Sequence, residues 1–186
     1  SGKVIGVDMT DEMIARAESN IEEAGLSHRV EVRKGLIEAL PVEDSSVDWV
    51  ISNCVINLSP EKHKVFAEIA RVLKPGGQML VSDIVADGLP DWVLQSAELY
   101  SSCVSGAISE TNYKAGLEAA GLLDVDVRAR LVYDAAQLRA FVAEDLATLA
   151  SGSNCCAGGA PSLAMIEQGI GQVEGKIWSA KFYARK

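Results

Sequence analysis

Polar side chains gather at three places in the first sixty residues. Asp8 closes the apolar run VIGV, GLIEALP (Gly35–Pro41) follows a second β-rich run, and SNCVINL (Ser52–Leu58) ends a third. A carboxylate at a strand end can accept both ribose hydroxyls of a nucleotide, and such charge-assisted hydrogen bonds contribute about 1.5–3 kcal/mol. A lone Asp there can equally do no more than begin the turn into a helix. Three successive strand ends carrying polar groups that can converge are a stronger signal, because ligands of open α/β sheets bind outside the carboxyl ends of the strands. Further along, Cys155 and Cys156 are immediate neighbours in the loop SNCCAGG. A thiol pair among Gly, Ala and Ser has no core to fill and is reactive when exposed. Cys54, in an apolar strand end, reads instead as a small core residue, and Cys103, taken alone, as a helix residue facing the core.

These groups need a scaffold, and the chain alternates short β-rich runs with longer helical patterns. KVIGV (Lys3–Val7) reads as a buried strand. Thr10 is placed to cap a helix whose Met13, Ile14, Ala17, Ile21 and Ala24 share one face, with Gly25 stopping it. RVEVRKG (Arg29–Gly35) and VDWVISN (Val47–Asn53) read as strands. PEKHKVFAEIARVL is a helix with Pro60 in its first turn, and LKPGGQMLVSDI is a helix end, a glycine turn and a strand from Met79 to Ile84. This rhythm implies an α/β fold with a mostly parallel sheet. Beyond it the pattern gives helices at Asp91–Cys103 and Glu110–Ala120, a strand at Val125–Val132 and a helix at Ala135–Leu149. A loop at Ser151–Pro161, a short helix and a terminal strand at Lys176–Ala184 follow.

Composition narrows the function classes. The 186 residues are 48% hydrophobic and 23% charged, enough for one globular core without disulfide or metal staples. A net charge of -9 argues against nucleic acid or an anionic membrane as partner, since both require clustered Lys and Arg. The apolar runs are too short to span a bilayer and nothing resembles a signal peptide, so a cytoplasmic protein with reduced thiols is expected. His28 and His63 fall in polar settings expected at the surface.

VIGVDMTDEM, GLIEALP, VDWVISNCVINLSPEK and VLKPGGQMLVSDI, in this order and spacing, resemble the S-adenosylmethionine-dependent class I methyltransferases. SNCVINLSPEK together with SCVSGAI is similar to the arsenite methyltransferase family in particular. The resemblance covers most of Gly2–Gly121 and resumes in KIWSAKFYARK. It implies a Rossmann-like fold with a partial S-adenosylmethionine-binding core in residues 1–88. Residues 89–186 are then a C-terminal α+β part that completes the sheet and carries arsenic-binding cysteines. By the resemblance Asp8 holds the ribose, Met9 packs on the adenine, Ile37 and Glu38 meet the adenine edge, and Asn53 faces the methionine end of the cofactor. Cys103 matches a family cysteine that binds arsenic, and Cys155 or Cys156 supplies a further ligand.

The family also has a first strand, a glycine-rich turn and a helix before the stretch that resembles SGKVIGVD, and no such turn is found in this sequence. Its first strand lies between the strands assigned here to Lys3–Val7 and Val47–Asn53. Unsatisfied buried backbone groups cost about 1–3 kcal/mol each, against a total stability of roughly 5–15 kcal/mol. Three outcomes are therefore expected: the two strands close up directly, a partner chain fills the gap through the unpaired edges as in a homo-oligomer, or the chain is part of a longer, N-terminally extended protein.

Trivalent arsenic is soft, thiophilic and carries a lone pair, so thiolates can hold it while the lone pair attacks a sulfonium methyl group. No general base is needed, and orientation alone can supply roughly 7–11 kcal/mol of the barrier. The resemblance thus implies arsenite methylation and arsenic detoxification, with a thiol reductant as partner. Two alternatives stand beside it: methylation of an organic small molecule, and a non-catalytic fragment that binds a thiophilic metal or metalloid.

Overall fold

The computed structural model describes residues 2–89, 104, 106–140 and 171–186. Six strands and three helices are set out in it: β1 (Val4–Asp8), α1 (Asp11–Glu23), β2 (Val30–Lys34), β3 (Val47–Asn53), α2 (Lys62–Val72), β4 (Leu73–Ala86), α3 (Glu110–Ala119), β5 (Leu123–Val132) and β6 (Ile177–Arg185). A single 3-10 turn, Ile56–Leu58, lies between β3 and α2. Residues 135–140 begin the helix expected from Ala135, and its remainder lies outside the described residues.

The strands form two sheets. β1 pairs with β2 in parallel, and the other four follow the order β3-β4-β6-β5. β4 is parallel to β3 and antiparallel to β6, and β6 is antiparallel to β5. Only β6 therefore runs against its neighbours, and β3, β4 and β5 share one direction. Among the described residues β1 has β2 as its one ladder partner and β3 has β4. The two strands have not closed up on each other, so the first of the three outcomes above is not the one this fold takes.

The main core lies on one face of the four-stranded sheet, and a smaller cluster with Ile84, Ala86 and Ile177 lies beyond it. Met79, Val81, Asp83 and Val85 alternate along β4 and are buried, as the two-residue repeat of a strand requires. α2 covers this face with Val65, Phe66, Ile69, Ala70 and Val72, a helical spacing of three and four residues. α3 adds Tyr113 and Leu117. The Tyr113 ring stacks on Phe182 of β6 at 4.0 Å and tilts against Phe66 at 5.0 Å. Each such ring contributes roughly 1.5–3 kcal/mol by burial. The helices approach closely because position 116 is glycine: a Cβ there would lie 2.6 Å from Phe66 Cε2. The opposite face carries Trp49 and Ile51 beside Leu80, all exposed.

Three local readings differ from the sequence pattern. KPGG is not a turn between helix and strand but part of β4, which runs unbroken from Leu73 to Ala86. The register jumps from Val47↔Leu73 to Trp49↔Gln78 across it, and Gly76 takes φ +79, so the glycines let the chain bulge while both sides stay paired. Thr10 precedes α1 without a capping side chain; its hydroxyl donates to Asp8 instead. α1 has an apolar face, as its periodicity implies, yet no residue of α1 is buried.

Candidate functional site

The carboxyl ends of β1, β2 and β3 each present the groups singled out above. Asp8 Oδ1 accepts from both the backbone N–H and the hydroxyl of Thr10, each at 2.8 Å. These bonds hold its carboxyl below the usual carboxylate range, backbone donor first, so the group is ionised at neutral pH. Asp8 thus begins the turn into α1 and also stays half-exposed with a fixed negative charge. Met9 beside it is 63% exposed, an apolar side chain with nothing yet to cover it.

Beyond β2 the chain is pinned by α2. Glu68 Oε2 accepts the Leu40 N–H at 2.6 Å, and Arg71 donates to the Leu40 and Val42 carbonyls, to Asp44 and twice to Glu68. The Arg71 guanidinium holds the Glu68 carboxyl below its ordinary range. Within this anchored segment Ile37 packs against the main core, so its side chain serves the scaffold. Glu38 Oε1 accepts from the hydroxyl of buried Ser59, which ties the segment after β2 to the segment after β3. Sequence reasoning missed this Glu68–Arg71 anchor; the i,i+3 spacing of opposite charges was the available signal.

Asn53 ends β3 exposed, and Cys54 follows it with φ +59, a left-handed conformation uncommon for a residue other than Gly. Cys54 is half-buried rather than a core residue, at the edge of a second apolar cluster with Ile84, Ala86 and Val104. The reading of Cys54 as a small core residue holds in part: its backbone turns off the strand end, and its side chain packs against this second cluster without being fully buried. Asn57, fully buried in the 3-10 turn, donates from Nδ2 to the Ile84 carbonyl at 2.6 Å and holds this turn against β4. Cys103, Cys155 and Cys156 lie outside the described residues.

Asp8, Met9, Glu38 and Asn53 thus stand at or beyond the carboxyl ends of β1, β2 and β3, the side on which open α/β sheets bind ligands. Residues 1–121 match the family model described as "Methyltransferase domain". The chain belongs to this methyltransferase family. The fold agrees: an arsenic(III) S-adenosylmethionine methyltransferase from Chlamydomonas reinhardtii superposes with a TM-score of 0.72 at 29% identity, covering 100% of this chain and 56% of that one. Among curated relatives, the arsenite methyltransferase of Halobacterium salinarum is 46% identical over 127 residues, 68% of this chain and 32% of its own length. That of Aquipseudomonas alcaligenes is 45% identical over 116 residues, 58% of this chain and 33% of its own. The chain spans about a third of the length of these curated relatives. The cofactor that goes with the family is S-adenosylmethionine. The residues present suit it: an ionised carboxylate for ribose hydroxyls at Asp8, and an uncovered apolar side chain beside it at Met9 for a flat base.

Proposed function

We propose that the protein transfers the methyl group of S-adenosylmethionine to trivalent arsenic held by cysteine thiolates. The observation that carries this reading is the 46% identity over 127 residues to an enzyme named for arsenite methylation. Asp8 accepts from the ribose hydroxyls, Met9 lies against the adenine, the Ile37–Glu38 backbone borders the adenine edge, and Asn53 faces the methionine end. The cofactor supplies an electrophilic methyl group on a sulfonium sulfur.

Cys103 and Cys155 or Cys156 hold the arsenic so that its lone pair points at that carbon. The As–C bond forms as the C–S bond breaks, and the electron pair stays on sulfur. No proton moves. This agrees with the exposed positions of His28 and His63, neither of which stands at the strand ends. The work of the chain is therefore orientation and thiolate binding, with a thiol reductant keeping the cysteines reduced and the arsenic trivalent. Arsenic detoxification is the corresponding role.

Calorimetric titration of S-adenosylmethionine, followed by arsenic speciation after incubation with arsenite and glutathione, tests the reading. Saturable binding, production of methylated arsenic, and protection of Cys103 and the Cys155–Cys156 pair from alkylation by arsenite are expected. Cofactor binding with no methylated arsenic and no protection of the thiols overturns the substrate. A folded chain that ignores S-adenosylmethionine overturns the cofactor site.

A further inference from the structure

Ser59 is 2% exposed and lies just past the 3-10 turn, and every polar group it carries is engaged. Its N–H donates to the Ile56 carbonyl at 3.1 Å, and its carbonyl accepts from the Lys62 ammonium at 2.9 Å. The hydroxyl works in both directions: Oγ accepts the Glu61 N–H at 3.1 Å, at the start of α2, and donates to Glu38 Oε1. Three of these bonds stay between the 3-10 turn and α2. The fourth reaches 21 residues back along the chain, to the segment after β2. The turn that carries Ser59 is itself fixed to the sheet, since Lys62 Nζ also donates to the Asn57 carbonyl at 3.2 Å and Asn57 is fastened to Ile84 of β4.

The segment that receives the fourth bond is tightly folded. A Cβ on Gly35 would lie 2.6 Å from Pro41 Cδ, so the two ends of Gly35–Pro41 meet. Between them the Ala39 N–H donates to the Leu36 carbonyl at 3.1 Å. Ile37 is turned into the main core and the Leu40 N–H is held by Glu68. Glu38 lies between these two anchors, with its carboxyl committed to Ser59. A hydrogen bond is directional where an apolar contact tolerates sliding, so this one sets the place of the segment as well as its attachment.

We propose that Ser59 is a positioning residue: acting through Glu38, it sets the backbone of residues 37–38 against the cofactor and ties it to the segment after β3, which borders the other end of the same site. The inference rests on the S-adenosylmethionine reading above for what this backbone borders. With the base bordered by residues 37–38 and the methionine end faced by Asn53, one buried hydroxyl holds the two borders at a fixed spacing. Placing the methyl group for in-line attack requires that spacing.

Ser59→Ala, Glu38→Ala, Glu38→Gln and the double Ala variant are compared in the full chain by S-adenosylmethionine titration, urea unfolding and amide exchange without ligand. Each single Ala variant weakens cofactor binding about tenfold, and the double variant no more than either, because the two changes remove one shared bond. Glu38→Gln keeps wild-type affinity, since its amide oxygen accepts the same hydroxyl. In the ligand-free protein both Ala variants speed exchange of the Ala39 amide about tenfold, and Glu38→Gln does not. Unfolding separates the two roles of the hydroxyl: Ser59→Ala also loses the Glu61 bond and is the less stable of the single Ala variants. Additive losses of affinity, or a Glu38→Ala protein with wild-type affinity and exchange, overturn the proposal and leave Ser59 a support for α2 alone. A folded wild type that ignores S-adenosylmethionine overturns the cofactor reading instead, and exchange of the Ala39 amide then decides by itself whether Ser59 fixes this segment.

Discussion

Replacing Asp83 by Asn changes how stability depends on pH, the variant gaining on wild type as pH rises. The folded state raises this carboxyl from its ordinary 3.8 to about 6, so folding favours the protonated form. The stability associated with Asp83 is therefore fully present below pH 3.8 and is lost as pH rises through 6. The difference of about 2.2 units corresponds to about 3 kcal/mol of destabilisation at pH 8. At pH 4 about half the unfolded chains still carry the proton, and the penalty is well under 1 kcal/mol by the same linkage. Asn cannot ionise and escapes this penalty, but its amide brings a donor into a site with no matching acceptor, at a pH-independent cost of about 1–3 kcal/mol. The absolute effect at one pH mixes the two terms. The change between pH 4 and 8 isolates the first: Asp83→Asn should gain about 2 kcal/mol relative to wild type over this range. Urea unfolding at pH 4, 5, 6, 7 and 8, with midpoint and slope fitted separately, measures it. A difference between the two proteins that stays constant with pH, or that grows against the variant as pH rises, refutes the reasoning.

Four other substitutions have outcomes that follow from the contacts described above. Arg71→Met leaves two carbonyls without this donor and Glu68, 16% exposed, without its charged partner though still bonded to the Leu40 N–H; it should cost about 2–3 kcal/mol in urea unfolding above pH 4.5, shrinking in acid as Glu68 protonates, whereas Asp44→Ala, whose carboxylate is 77% exposed, should stay within about 0.5 kcal/mol. Gly116→Ala should destabilise by about 1–2 kcal/mol despite the better helix propensity of Ala, because the added Cβ meets a ring already fixed between α2 and Tyr113; a higher melting temperature would show that the helices can part. Asp8→Ala should weaken S-adenosylmethionine binding in calorimetry at least tenfold through loss of charge-assisted bonds to the ribose, with little change in fold, since the Asp8 side chain bonds to its own neighbours Met9 and Thr10.

The legible parts of the fold were those fixed by local pattern. β3 was given to the residue because Val47 to Asn53 is bounded by a polar turn before and a polar cluster after, and α2 because its apolar residues recur at helical spacing. Asp8 and Asn53 were legible as polar residues closing apolar runs, whereas the parts given to Asp8, Met9, Ile37, Glu38 and Asn53 around the cofactor came from the family resemblance and not from local pattern. What was not visible depends on partners distant in the chain. KPGG looked like a turn because Gly76 takes the positive φ of one, but pairing of β4 with β3 before it and with β6 after it makes the stretch a bulge in a long strand. Glu68 and Arg71 show only their i,i+3 spacing in the sequence, while in the fold Arg71 donates to carbonyls 29 and 31 residues upstream and Glu68 accepts the Leu40 N–H.

Cys54 shows where pattern misleads. Its apolar neighbours Val55 and Ile56 argued for burial, yet a core position requires that the strand continue straight, and at Cys54 it does not. The Cys54 N–H still reaches the Ser82 carbonyl as the next rung of the ladder, while φ +59 swings the following residues into the 3-10 turn that Asn57 fastens to Ile84. A left-handed conformation costs a non-glycine residue about 1–2 kcal/mol, and glycine would relieve it. The chain instead keeps a thiol at this strained point, beside a buried carboxylate whose own ionisation is unfavourable. Two local costs at adjoining residues, each removable by a common substitution, are unexpected in a scaffold and expected where chemistry is done. That argument sets Cys54, packed at the edge of the second cluster, and Asp83, buried in β4, apart from the purely apolar positions around them.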